Sequence, residues 1–253
     1  MNHQSCNEAN IWTCRQTALW QGPDTLTAVT QASLCGSSAQ ATHELDPAQA
    51  FVPGLVEHYL KRQALPVTKE LAVLFVDLAD STSALLHHPP AQTLVVIQRF
   101  TELMTEIALA HCGDVKDYEG DGALLYFTSI THATRAALAM RAAFAAERAR
   151  DGHSIQARFS LNVGPVTIGV VGSALRRSIA LIGPTVNLAA RLLKQVAPGG
   201  IIAPRAAVER LQQEAPSLAH AFQLRGTCMT IRGFEEQCVT AYHLPAESLV
   251  SSA

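Results

Sequence analysis

Two acids and an asparagine–arginine pair are the residues whose types and spacing could do chemistry. Asp77 closes the apolar run LAVLFVD (71–77) and is followed at once by LADST. A carboxylate at the end of a buried strand faces the open end of a sheet, where the N–H groups of the next turn can cradle an anion. Asp121 sits between Gly120 and Gly122, where the backbone can come very close to a ligand. Acids on two adjacent strands suit a shared pair of Mg²⁺ ions, because hard cations take carboxylate oxygens and leave positions open for phosphate. Asn187 and Arg191, in TVNLAAR (185–191), are spaced i, i+4 and share one helix face. That pairing suits a ribose oxygen and a phosphoryl group. Taken singly, each residue has a plainer use as a helix cap, a turn residue or part of a solvated helix face.

The elements that must position these groups read as follows. LAVLFVD is a short, continuous apolar run, hence a buried strand, and DSTS (80–83) offers helix caps. Val96, Ile97, Phe100, Leu103, Met104 and Ile107 form a helical stripe after Pro90. VKDYE (115–119) and ALLYFT (123–128) flank Gly-Asp-Gly, a hairpin whose glycines supply positive φ. Ala-rich 132–149 predicts a second helix. SIQARFSLNV (154–163) alternates, with Ile155, Ala157, Phe159, Leu161 and Val163 inward and Gln156, Arg158, Ser160 and Asn162 outward, the pattern of a half-buried strand. A Gly-punctuated arm (164–173), a strand (178–183) and a helix (185–196) follow, then a strand at 200–203, a helix near 204–213 and strands near 221–232 and 237–244. Strand–helix–hairpin–helix–strand is a ferredoxin-like split βαβ core of the α+β class, an antiparallel sheet covered by helices on one side. Such a fold does not by itself fix a function.

The chain has 253 residues with 19 Lys and Arg against 21 Asp and Glu, a net charge of −2. That balance gives no field for a nucleic-acid partner. No stretch reaches the roughly 18–20 apolar residues of a membrane span, and the N-terminus lacks the basic start and apolar run of a secretory signal. A cytoplasmic protein is the expectation. The cysteines at 6, 14, 35, 112, 228 and 238 include no CxxC pair, so buried or idle thiols are expected rather than a disulfide framework. The histidines show no HxxxH or HExxH spacing for metal. Residues 1–45, poor in charge and without period, read as a poorly ordered or regulatory tail. Residues 46–70 read as a helical lead-in, 71–245 as the main domain and 246–253 as a C-terminal tail.

In order and separation, FVDLADST (75–82), GDGALLYF (120–127), NVGPVTIGVVGS (162–173) and LIGPTVNLAARL (181–192) resemble the catalytic domain of class III nucleotidyl cyclases. IRGF (231–234) and VTAYHL (239–244) are similar to its closing strands, and FVPGLVEHYL (51–60) looks like the segment that commonly precedes it. The resemblance covers about 50–244. It implies a head-to-tail homodimer that binds a nucleoside triphosphate, with two Mg²⁺ or Mn²⁺ ions per site. One subunit would supply Asp77, Asp121 and the Leu78 backbone to the metals, and Ala79, Asp80, Ser81 and Thr82 to the phosphates. The other would supply Asn187 for the ribose and Arg191 for charge developing on the α-phosphoryl group. Arg232 stands where the family usually has a phosphate-binding Lys, exchanging a point charge for a fork. The reaction implied is attack of the ribose 3′-OH on the α-phosphate, releasing pyrophosphate.

The base-reading positions depart from the family. The adenylate cyclase Lys, four residues before the second metal acid, is replaced by Asp117, with Lys116 one step earlier. Neighbours on a strand point to opposite faces, so Lys116 can substitute only if a bulge shifts it. The partner position, seven residues before the Asn, is Ala180, which has no polar side chain. Asp117 can accept from adenine, guanine or cytosine. ATP is the first expectation, with GTP or a pyrimidine nucleotide as alternatives. A nucleotide-binding regulatory module without turnover is the alternative of another class.

Overall fold

In the computed structural model, residues 59, 62, 64–79, 89–151, 156–173 and 175–246 are described, without the side chains of 148–151. The tail at 1–45, the 80–83 caps, and all of the lead-in helix at 51–60 except Tyr59 lie outside the described residues, as do 247–253.

The chain runs β1 (Val67–Ala79), α1 (Pro90–Ala110), β2 (Gly113–Glu119), β3 (Gly122–Phe127), α2 (Ile130–Asp151), β4 (Gln156–Gly172), β5 (Arg177–Ile182), α3 (Pro184–Leu192), a 3₁₀ turn (Leu193–Gln195), β6 (Ile201–Pro204), α4 (Arg205–Glu214), a helical turn (Pro216–Ala219), β7 (Gln223–Met229) and β8 (Val239–Leu244). The strands form an eight-stranded sheet in the order β2-β3-β1-β4-β6-β8-β7, with β5 paired to the outer part of β4. It is antiparallel except where β4 meets β6, at Phe159↔Ile201 and Ser160↔Ile202. The first six elements make the expected split βαβ unit. β1 starts at Val67, four residues before the predicted strand, because Val67–Glu70 pair with Pro165–Ile168 on the long partner β4.

β1 sorts its side chains strictly by parity. Ala72, Leu74, Val76 and Leu78 face α1 and α2 in the main core, whereas Leu71 and Val73 face the other side. Phe144 of α2 lies between Phe100 of α1 and Phe159 of β4, at centroid distances of 4.5 and 6.3 Å. Ala133, Ala136 and Ala137 are buried in the same core, and their small side chains let α2 approach the sheet closely.

The expected one-sided helical cover is corrected by α3. Val186 and Ala189 pack with Leu71, Val73, Leu124 and Tyr126 on the opposite face. The same helix explains why β4 is not half-buried. Ser160 and Asn162, read as outward, are 0% and 4% exposed, and Asn162 Nδ2 donates to the Thr185 carbonyl at 3.0 Å. Alternation marked the two faces correctly but could not show that a helix lies over the polar one.

A third cluster, with Leu192, Ile202, Ile231, Phe234, Val239 and Ala241, closes the β6–β8 end. There the expectation of idle thiols fails, because Cys228 and Cys238 form a disulfide. Their ten-residue spacing carried no motif; the β7–β8 pairing brings them together.

Candidate active site

Asp77 lies two residues from the end of β1, opposite Gly122 of β3 on one side and Arg158 of β4 on the other. Asp121 occupies the two-residue turn between β2 and β3 with Gly120. Gly120 has φ +65°, as a tight hairpin turn requires. A Cβ on Gly122 would stand 2.9 Å from the Val76 carbonyl and 3.3 Å from Asp77 Oδ1, so glycine there lets the turn close against the acid. The Leu78 N–H donates to the Asp121 carbonyl at 3.3 Å, which ties the turn to β1. Ala79 is the last residue of β1, paired with Gln156. Asp80, Ser81 and Thr82 lie outside the described residues.

Asp77 feels its neighbour. Burial and then repulsion from Asp121 push the Asp77 carboxyl above its ordinary range, against a smaller pull from Arg158 and Lys194. A half-buried acid held beside a second carboxylate is a site that a divalent cation relieves. Among the described residues no cluster of three or more His, Cys, Asp or Glu could hold a metal. Two carboxylates fit a hard cation whose remaining ligands are phosphate oxygens and water. Sequence reasoning missed Arg158 and Lys194. The only signal for Arg158 is its register opposite Asp77, which requires knowing that β1 pairs with β4.

A second feature is an open cleft of about 400 Å³ on the α3 side of the sheet. Phe75, Leu124 and Ile179 give it apolar walls, and Lys116, Asp117, Glu119, Ser178 and Asn187 give it polar ones. Ala180 lines it without adding a polar group. The β2–β3 pairing shifts register between Val115 and Asp117, the bulge that the Lys116 position required. Lys116 and Asp117 therefore line the same cleft, with Lys116 Nζ 3.1 Å from Asp117 Oδ2. The Lys116 side chain is 9% exposed and that of Asp117 54%.

Asn187 is thus brought together with the three base-reading candidates. Arg191 lies one turn further along α3, exposed, in its last turn. Arg232 is exposed in the loop between β7 and β8, at the other end of the sheet.

The family model for the adenylate and guanylate cyclase catalytic domain matches residues 64–244. The chain belongs to this family. It shares 30% identity over 172 residues with an uncharacterized protein of Mycobacterium tuberculosis, covering 65% of this chain and 32% of that one. The chain thus spans about a third of the length of the curated relatives it matches. Its fold matches the adenylyl cyclase CyaB of P. aeruginosa at 21% identity and TM-score 0.63, over 72% of this chain and 97% of that one. It also matches the guanylate cyclase domain of RhGC from Catenaria anguillulae, solved with GTP, at 21% identity and TM-score 0.61, over 72% and 100%. Among the described residues of this cyclase-family chain, no helix is long and apolar enough to cross a membrane.

Proposed function

We propose that the protein is a nucleotidyl cyclase that converts a nucleoside triphosphate, ATP first, to its 3′,5′-cyclic monophosphate and pyrophosphate at a homodimer interface. The observation that carries this reading is the Asp77–Asp121 pair, a half-buried acid raised by burial and by its neighbour at the end of a strand in a cyclase-family domain. Asp77 and Asp121 would hold two Mg²⁺ or Mn²⁺ ions, with the Leu78 backbone beside them. When bound, such ions activate the 3′-hydroxyl and neutralise the leaving pyrophosphate.

The remaining work falls to the chain's own side chains. Arg158 and Lys194, which already act on Asp77, supply positive charge for the triphosphate, and the backbone N–H groups of Ala79, Asp80, Ser81 and Thr82 would donate to its phosphate oxygens. From the second copy, Asn187 orients the ribose, Arg191 stabilises charge developing on the α-phosphoryl group and Arg232 takes an outer phosphate. Support for a second copy comes from apolar surface on the β4–β5 arm. Val170, Val171 and Ile182 are about half exposed, and Leu175 is 98% exposed, a pattern that marks protein contact.

Lys116 and Asp117 read the base. The bulge sets a donor and an acceptor 3.1 Å apart in one cleft. The N1 acceptor and N6 amine of adenine are adjacent and want that donor–acceptor pair. Ala180 is then a spacer. A GTP reading draws on Glu119, a second acid lining the cleft, since the N1–H and N2 amine of guanine both want acceptors.

The test is a parallel incubation of the purified chain with Mn²⁺ or Mg²⁺ and each of ATP, GTP, CTP and UTP, with cyclic products resolved by mass spectrometry. Cyclic AMP from the wild type and none from Asp121→Ala is the expected result. Another cyclic nucleotide moves the base assignment. No cyclic product from a folded dimer that binds nucleotide replaces the enzyme by a regulatory binding module.

A further inference from the structure

We propose that the Cys228–Cys238 disulfide is a reversible redox site that sets the position of Arg232, and through it the affinity for the triphosphate; the second half rests on the cyclase reading above. The disulfide spans the loop 229–237, which carries Arg232 at its tip. Within that loop Ile231 and Phe234 are 1% and 9% exposed and lie in the third core cluster. The Phe234 N–H donates to the Ile231 carbonyl at 2.8 Å, closing a turn with Arg232 and Gly233 at its corners. Gly233 has φ +83°, and its N–H donates to Glu235 Oε1 at 2.8 Å. Arg232 is therefore presented outward between two buried anchors.

Beyond these anchors and their turn, what holds the β7 end of the loop is slight apart from the covalent bond. β7 is the edge strand of the sheet. All its residues are exposed or intermediate, and its pairing to β8 slips twice, between Leu224 and Gly226 and between Gly226 and Met229. Few buried contacts and an irregular ladder mark a segment that opens locally at low cost. The disulfide ties the end of this edge strand to the start of β8. Both cysteines are exposed, so a thiolate can reach them.

The chemistry balances without a cofactor. A small dithiol attacks one sulfur and a mixed disulfide forms. The second dithiol sulfur breaks the mixed disulfide and releases the protein sulfur, so the dithiol is oxidised to its own disulfide while Cys228 and Cys238 gain its two electrons and two protons and become thiols. A small-molecule disulfide reverses the step. In the oxidised state the turn is held and Arg232 meets the triphosphate in place. In the reduced state the β7 end frays, the Ile231 and Phe234 anchors compete with open conformers, and Arg232 is delivered less often.

The test uses the full chain, oxidised or treated with dithiothreitol, with peptide mapping after alkylation to report the Cys228–Cys238 state. One readout is the rate of tryptic cleavage after Arg232. The other is the affinity for 3′-deoxy-ATP and 3′-deoxy-GTP, which cannot cyclise. Reduction is expected to speed the cleavage and weaken binding by about three- to tenfold, within what a misplaced group costs. The double variant Cys228→Ser, Cys238→Ser should behave as the reduced protein in both conditions. Arg232→Gln should bind weakly in both states and lose the redox response. Equal cleavage and equal affinity in the two states overturn the proposal, as does an Arg232→Gln protein whose affinity still responds. If neither analogue binds, the cleavage rate alone decides whether the redox site holds the loop, and the cyclase reading is what has failed.

Discussion

Asp77 on β1 and Arg158 on β4 stand directly opposite each other in the antiparallel ladder. The pairing that delivers an acid to the end of the sheet thus delivers a cation beside it, while the neighbouring hairpin delivers a second acid from the other side. Arg158 and Lys194 draw the Asp77 carboxyl down, but burial and Asp121 outweigh them.

Asp77 should therefore be a cost to the metal-free fold at neutral pH. Its folded pKa lies above the unfolded value, so its favourable contribution is complete below the unfolded pKa and is lost as pH rises through the folded one. Asp77→Asn is expected to raise the metal-free Tm at pH 7 by on the order of 2 °C, with the gain vanishing in acid. Mn²⁺ should raise the Tm of the wild type and not of the variant. Calorimetry across pH, with and without Mn²⁺, checks both.

On the proposed cyclase assignment, Arg158→Ala and Arg191→Ala should separate kinetically. Loss of Arg158 removes charge that meets the triphosphate before and during reaction, so KM should rise by about tenfold with kcat little changed. Loss of Arg191 removes a group that acts as charge develops, so kcat should fall by about 10²–10³ with KM nearly constant. Steady-state rates with the preferred nucleotide give both numbers, and a matched rise in KM for the two variants counts against the assignment of Arg191.

Phe144→Ala tests the aromatic contact among α1, α2 and β4. Phe144 is 2% exposed and lies against both Phe100 and Phe159, so truncation is expected to cost about 3–5 kcal/mol. Urea unfolding should show a lower midpoint at unchanged slope.

Acid stability should respond to His132. Burial and then the nearby Arg135 hold its imidazole below the ordinary histidine range, and its Nδ1 is buried with no hydrogen-bond partner among the described residues. His111, facing His132 and Arg135, is lowered as well, by burial first and then by His132 and Arg135. A lowered histidine leaves stability intact above the unfolded pKa and loses it as pH falls through the folded one. The wild type should weaken as pH drops below about 6.5, and His132→Gln should flatten that slope.

Much of the fold was legible because β1 and α1 carry strong apolar patterns and α2 is rich in alanine. LAVLFVD, the Phe100–Met104–Ile107 stripe and the Gly-Asp-Gly turn each specify their element locally. The acids were legible for the same reason, since Asp77 and Asp121 lie at the ends of such elements. What escaped depends on pairing between distant segments. Arg158 gains meaning only from its register against Asp77, Ser160 only from α3 lying over β4, and Cys228 only from β8 running back past it. The bulge at Lys116 falls between, because the displaced lysine demanded one and only the β2–β3 register fixes where it lies.

β4 is one strand of 17 residues. It carries Arg158 near its start and pairs with β5 through Thr167–Gly172 near its end, while β1 ladders the length between without a register break. A strand hydrogen-bonded along such a span slides only by whole steps, and an odd step would turn Asn162 and Ser160 into the aromatic core. The strand is therefore a stiff rod, about 46 Å from Arg158 to Gly172 at the usual rise per residue. A push on the arm reaches the acid pair as rotation or translation of the whole sheet, so in the proposed homodimer the spacing within one copy would stay fixed and only the distance between copies would be left to vary.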